Sequence, residues 1–257
     1  MTEAILQTQG LSKAFGGVCA VKDFNMSIRP GTIRGIIGPN GAGKTTIFNL
    51  LSRIYIQDEG VIVFDGQDIT KKSQIEVARM GLSRTFQNTR LFTGLNVLDN
   101  VKVALDHAGK YSLFSALFML PSRNRQERLI EEKAMACLKL LNLDEFAKKS
   151  PSNLSYGYQR RVEIARALAH EPKVLMLDEP AAGLNPEETV MLMDFIKDIK
   201  KKYPHLAILV IEHRMELIMN LCDHIYVQDS GKTIAEGTPK EIQNDPIVLA
   251  AYLGEED

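Results

Sequence analysis

The chain has 257 residues, 45% of them hydrophobic and 25% charged, with a formal net charge of -1. That length allows one large domain, or one domain with an inserted lobe, around a sizeable core. The near-zero charge excludes a global field that would draw the chain to nucleic acid or anionic lipid.

The N-terminal stretch TEAILQTQGLSKAF has no basic segment leading into an apolar one, so no secretory signal is expected. Residues 5–7, 24–28, 32–37 and 60–64 carry β-branched or alternating apolar residues bounded by Gly, Pro or Asp, and are expected to be strands. The segment GPNGAGKTT then leads from a strand into a helix over 44–52. From about residue 96 to residue 169 the pattern turns helical, and 124–143 has apolar residues at three- and four-residue steps. Two short apolar runs follow, 174–177 and Ala207–Ile211, with a helical stretch Pro186–Lys202 between them. That alternation predicts a parallel sheet buried on both faces. A tail from about residue 237 closes the chain. There is no internal repeat and no Pro- or Ser-rich linker. The runs at 113–120 and 206–211 fall well short of the roughly 20 residues needed to span a bilayer. Any membrane role is therefore expected to come through a partner. Cys19, Cys137 and Cys222 lie far apart with no CxxC pair, which fits a reducing cytosol and buried or inert thiols.

Gly38, Pro39, Asn40, Gly41, Ala42, Gly43, Lys44 and Thr45, continued by Thr46, fit G-x-x-x-x-G-K-[ST] after a strand. Glycines let backbone N–H groups turn inward around phosphate oxygens, and the helix starting near Gly43 adds its positive end. Lys44 can reach the β- and γ-phosphates of ATP, and the Thr45 hydroxyl can coordinate Mg²⁺. The apolar run at 174–177 ends in Asp178 and Glu179. Beside a phosphate loop, Asp178 is expected near the Mg²⁺ shell and Glu179 where it can hold or deprotonate an attacking water. Acids after a strand can also merely cap the next helix. A lone His at a strand end is more often a surface or hydrogen-bonded residue than a catalyst, but His213 follows the second apolar run, a strand expected to neighbour the one carrying Glu179, from where it could contact the γ-phosphate. His107, His170, His205 and His224 are expected to be structural.

The chain resembles the nucleotide-binding subunit of an ABC transporter over essentially its full length. The specific feature is the signature segment, here Leu154-Ser155-Tyr156-Gly157-Tyr158-Gln159-Arg160-Arg161, followed by a helix over 162–169. It departs from LSGGQ at Tyr156 and Tyr158, while Ser155 and Gly157 keep the positions that, by the resemblance, address ATP held by the other subunit. The resemblance also implies that Phe15 stacks on adenine, the alternative being a core residue of the first strand pair. It implies that Gln87 touches Mg²⁺ and the attacking water, and that 182–185 form the D-loop, with Asn185 where Asp is frequent.

The expected fold class follows: an α/β P-loop, RecA-like ABC ATPase core with an antiparallel β-subdomain and an inserted α-helical subdomain. Residues 1–95 and 166–236 would form the core with its β-subdomain, 96–165 the helical subdomain and 237–257 the tail. Segments 79–81, 84–88, 181–186 and 250–254, with extra sequence at about 106–125, resemble the longer ATP-binding subunit of branched-chain amino acid importers. That likeness implies two membrane-spanning permease subunits, a second ATP-binding subunit (the same chain or a shorter sister) and, indirectly, an extracytoplasmic solute-binding protein. It places the chain at the cytoplasmic face of the cell membrane. Nucleic acid is not an expected partner. The alternatives are an ABC ATPase powering lipopolysaccharide export and a non-transport regulatory ABC ATPase. Against the latter, no sustained heptads or Cys clusters are present. The apolar 113–120 run reads as packing within the helical lobe or as a partner-facing patch, and Arg123, Arg125 and Arg128 as a solvated face.

Overall fold

A computed structural model describes residues 3–87, 91–105 and 121–253. Strands β1 (Leu6–Phe15), β2 (Val18–Ile28) and β3 (Ile33–Ile37) lead into helix α1 (Lys44–Leu51). Strands β4 (Glu59–Phe64) and β5 (Gln67–Asp68), helix α2 (Gln74–Arg79) and strand β6 (Leu82–Arg84) follow. Helices α3 (Val97–Leu105), α4 (Pro121–Leu140) and α5 (Tyr156–Leu168) precede strand β7 (Val174–Asp178) and helix α6 (Pro186–Lys202). Strand β8 (Ala207–Ile211), helix α7 (Met215–Leu221), strands β9 (His224–Asp229) and β10 (Lys232–Gly237), and helices α8 (Pro239–Gln243) and α9 (Pro246–Leu253) complete the described chain.

The described residues divide into two compact units. One holds those up to Gln87, Pro172–Ala182 and those from Ile196 on; the other holds those from 91 to Glu171 and Gly183–Phe195.

In the first unit, β7 and β8 are buried at every position. Strands apolar on both faces belong inside a covered parallel sheet, and these two sit within a six-stranded one of order β10-β9-β3-β8-β7-β6. β3 pairs in parallel with β8 and β9, and β7 with β8 and β6, whereas the edge pair β9–β10 is antiparallel. A second sheet, β2-β1-β4-β5, is antiparallel throughout. The core joins Phe24 and Phe64 of that sheet to Ile47 and Phe48 of α1 and to Met176, Leu209 and Ile211 of the parallel sheet. Each such side chain contributes about 1.5–3 kcal/mol on burial. The register places the carboxyl ends of β3, β8 and β7 side by side, since Ile36 pairs with Ile211 and Ile211 with Asp178. The crevice outside the carboxyl ends of the strands is where open α/β sheets bind ligands.

In the second unit, α3, α4 and α5 bury Val97, Val101, Ala134, Leu138, Val162 and Ala165. Buried Asn100 accepts a hydrogen bond from Phe92 N at 2.8 Å and donates to Phe92 O and Asn96 O, which satisfies an irregular loop from inside. Among the described residues no helix is long and apolar enough to cross a membrane.

Some expected elements change their limits. The first strand runs on to Phe15 and its partner starts at Val18, well beyond 5–7 and 24–28. Three register shifts between them break the period-two pattern by which strands are recognised. The signature helix begins at Tyr156 rather than at 162, because Ser155 takes the extended N-cap position. The helix expected over 124–143 is Pro121–Leu140. Cys137 and Cys222 are buried as expected, whereas Cys19 is exposed on a strand edge. Arg125 and Arg128 are exposed. The 113–120 run and most of the 106–125 segment lie outside the described residues, as do Asn88 and Gly254.

Candidate active site

The phosphate loop joins β3 to α1 and is walled by neighbouring backbone. A Cβ on Gly38 would stand 2.0 Å from Gln228 O, and one on Gly43, whose φ is 96°, would stand 2.1 Å from Ala20 O. Glycine is required at both. The Gly231 N–H reaches Ala42 O at 3.3 Å, so the β9–β10 turn braces the loop from the other side. The Lys44 ammonium is buried and donates to Gly38 O and Pro39 O, at 2.6 Å each. It is thus held against the loop it closes. Thr45 is exposed at the first turn of α1, and Thr46 is half-buried beside it.

Two strands away, β7 delivers Asp178 and Glu179. Glu179 has φ of 44°, a conformation that an L side chain holds only under constraint. Its N–H is tied to Ile211 O at 2.9 Å, and its Oε2 accepts from Gln87 Nε2 at 2.8 Å. The structure therefore brings Gln87 and Glu179 together. Asp178 is buried, and its Oδ2 accepts from Arg84 Nη2 at 2.7 Å. His213 stands just past β8 with a half-exposed ring, and β8 neighbours β7 as the sequence predicts.

Thr45, Gln87 and Asp178 supply hydroxyl, amide and carboxylate oxygens. This all-oxygen donor set is the chemistry that Mg²⁺ prefers, and the Cβ-free cradle at Gly38 and Gly43 suits a phosphate chain, so the residues fit both groups.

Phe15 is 43% exposed at the tip of β1, which removes the core alternative. It meets Tyr55 edge-on at 5.2 Å. Asp58 steadies this tip, accepting from Lys13 Nζ at 2.6 Å and Ala14 N at 2.7 Å; the Lys13 and Ala14 hydrogen bonds hold its carboxyl below the usual range.

In the second unit, Ser155 is exposed at the N-cap of α5 and its hydroxyl does not cap its own helix. The Gly157 N–H, read from sequence as facing phosphate, donates to Glu188 Oε1 at 3.3 Å. Glu188 also exchanges hydrogen bonds with Asn185, whose Oδ1 accepts from Glu188 N at 2.8 Å. Asn185 thereby caps the start of α6. Tyr156 lies against Gly183, where a Cβ would come within 3.1 Å of the ring, and Tyr158 packs on Phe146 at 4.6 Å with Arg161 over its face.

Sequence reasoning missed Arg84, Glu188 and Glu212. Glu212 is fully buried beside His213; it accepts from Ala181 N at 2.7 Å and His213 N at 3.2 Å, linking the two strand ends. Burial pushes its carboxyl up, against the opposing pull of those N–H groups. A carboxyl raised in the folded state stabilises fully below the ordinary glutamate range and loses that contribution as pH rises through the folded value. Glu212→Gln is accordingly expected to flatten the decline of stability above that range, by at most about 1.4 kcal/mol per pH unit. Thermal unfolding of both proteins across pH checks this, and parallel curves would contradict it.

Comparison with known proteins adds to this geometry. A model of the ABC transporter family matches residues 21–182, and a model described as the branched-chain amino acid ATP-binding cassette transporter matches 232–257. The chain is 44% identical over 255 residues to the high-affinity branched-chain amino acid transport ATP-binding protein LivG of Escherichia coli, covering 99% of this chain and 100% of that one. It is 43% identical to the corresponding protein BraF of Pseudomonas aeruginosa, with the same coverage. Among solved structures, the ADP conformation of an ATP-binding cassette of an ABC transporter aligns with a TM-score of 0.85 at 34% identity, covering 98% of this chain and 100% of that one.

Proposed function

Because the chain belongs to the ABC transporter family, as an ATP-hydrolysing ATP-binding subunit, we propose that it powers uptake of branched-chain amino acids through an importer. The observation that carries the solute is the match of the tail, 232–257, to the branched-chain model, set beside likeness along the whole chain. The partners are two membrane-spanning permease subunits, a second ATP-binding subunit and an extracytoplasmic solute-binding protein. The chain works at the cytoplasmic face of the membrane. Residues 1–95 and 166–236 serve as the nucleotide-binding core, 96–165 as the helical subdomain that meets the permease, and 237–257 as the tail.

The reaction needs two chains. The loop from Gly38 to Thr46 binds the phosphates of ATP through its N–H groups and Lys44. Thr45, Gln87 and Asp178 would hold Mg²⁺, which when bound would offset negative charge on the phosphates. Ser155 and Gly157 of the opposing subunit close on the γ-phosphate; for Gly157 this means releasing its N–H from Glu188. Glu179 orients water and takes its proton, with Gln87 fixing the carboxylate and His213 approaching the γ-phosphate from the adjoining strand. Closure is driven by the higher affinity of the paired state for ATP than for ADP.

Phe15 stacks on adenine. Phe15→Ala is expected to weaken ATP binding by about 1–2 kcal/mol, roughly five- to thirtyfold, while Phe15→Tyr retains it. Calorimetric titration with ATP and with free triphosphate separates the outcomes, since loss of stacking leaves triphosphate binding unchanged.

The transport reading is tested in the host by deleting the gene. ATP-dependent uptake of leucine, isoleucine and valine should disappear and return with the intact copy. Normal uptake combined with failed lipopolysaccharide delivery would replace this reading with the export one.

A further inference from the structure

We propose that Arg84 is a positioning residue of the nucleotide–metal site: it pins Asp178 by Oδ2, so that Oδ1 is the oxygen offered to the divalent cation. The inference rests on the reading of Asp178 as a residue of the Mg²⁺ shell.

Arg84 ends β6, the strand beside β7. Its guanidinium is spread over three acceptors. Nη2 donates to Asp178 Oδ2 at 2.7 Å, and Nη1 donates to Asn49 Oδ1 at 2.7 Å and to Ser52 Oγ at 3.0 Å. Its central carbon lies 5.4 Å from the ring centres of both Phe48 and Phe86. Only 7% of the Arg84 side chain and 4% of the Asp178 side chain are exposed.

Phe48, Asn49 and Ser52 belong to α1 or its C-cap, the helix that opens with Lys44 and Thr45. Arg84 therefore joins the Asp178 carboxylate to the helix carrying the other half of the phosphate and cation site. A planar, forked cation can address these separate acceptors at once, whereas a lysine ammonium presents a point charge without the fork.

The same short segment touches the end of β7 at successive points. Arg84 holds the Asp178 carboxylate, Thr85 Oγ1 accepts from Asp178 N at 3.4 Å, and Gln87 holds Glu179. Thr85 N also donates to Met176 O at 2.9 Å, which continues the strand pairing. A movement of the Gln87 segment would reach both acids through these bonds.

Stability alone does not account for the pair. Apolar residues of similar volume often replace a buried ion pair without loss of stability. Among the described residues, moreover, Arg84 Nε has no hydrogen-bond partner, so the pair leaves one buried donor unsatisfied. Nothing donates to Asp178 Oδ1 among the described residues either. Groups that orient metal ligands from behind change metal affinity when they are removed.

The test is equilibrium binding of Mn²⁺, read by electron paramagnetic resonance, to the ATP-loaded full chain in a Glu179→Gln background that preserves the nucleotide. Arg84→Gln and Arg84→Lys are expected to weaken Mn²⁺ binding about 10- to 100-fold, with ATP affinity in chelator unchanged. Asp178→Asn serves as the reference and should weaken it at least as much. If Asp178→Asn weakens Mn²⁺ while both Arg84 variants bind it like the parent, Arg84 only supports the fold and the proposal is overturned. If Asp178→Asn leaves Mn²⁺ binding intact, the reading of Asp178 falls and the proposal with it. Should the Arg84 variants not fold, Asn49→Ala removes one anchor of the same guanidinium and keeps the ion pair. Its Mn²⁺ affinity should drop roughly three- to tenfold, and an unchanged value would overturn the proposal as well.

Discussion

Glu179→Gln is expected to cut ATP turnover by about a hundredfold to ten-thousandfold while nucleotide still binds, the range by which a positioned general base contributes. The carboxylate sits one residue beyond β7 in a left-handed backbone conformation, and Gln87 Nε2 holds one of its oxygens at 2.8 Å. An amide is nearly isosteric and keeps an oxygen for the Gln87 bond, so the strand end and the phosphate loop retain their form. What is lost is the proton acceptor. Single-turnover hydrolysis of radiolabelled ATP, with binding measured on the same sample, separates the two effects. Near-normal turnover would take Glu179 out of the mechanism; lost binding would make it part of the cradle.

Gly43→Ala should be, with Gly38→Ala, among the most damaging single methyl groups at the described glycines. The new Cβ would fall 2.1 Å from the backbone oxygen of Ala20, at a φ of 96° that alanine rarely adopts. Backbone on both sides of the clash leaves no flexible side chain to yield. Relief requires displacing either β2 or the start of α1. We expect a loss of at least about 2 kcal/mol of stability. ATP affinity should fall by at least about thirtyfold, because Lys44 and Thr45 move with the turn. Chemical denaturation and ATP titration together read both quantities. Unchanged stability with weak ATP binding would mean that the loop rearranges freely, contrary to the enclosure described above.

What was legible in the sequence is what is local. The phosphate loop announces itself within eight residues, and the runs ending at Asp178 and Ile211 announce buried parallel strands whose tips must neighbour the loop. The limits of α6 and β8 followed from helical and apolar patterning, and both match the structure. The illegible part is set by contacts between distant positions. Arg84 meets Asp178 across 94 residues, and Glu212 meets Ala181 across 31. No period or spacing encodes such a meeting, because only the strand order β8-β7-β6 creates it. The irregular register between β1 and β2 hid most of the first hairpin for a related reason: bulges move side chains between faces. Gly157 is a further instance. Its type and place in the signature segment were readable, but not the Glu188 carboxylate that occupies its N–H.

The central claim is that ATP bridges two polypeptides, the phosphate loop of one and the Ser155 segment of the other. Light scattering on the Glu179→Gln chain tests it most directly, alone and with whichever ATP-binding subunit co-purifies. With Mg-ATP the molar mass should roughly double, and with ADP, or with Ser155 replaced by a bulky residue, it should return to that of single subunits. A mass that stays at the single-subunit value in saturating Mg-ATP, for both samples, contradicts the account.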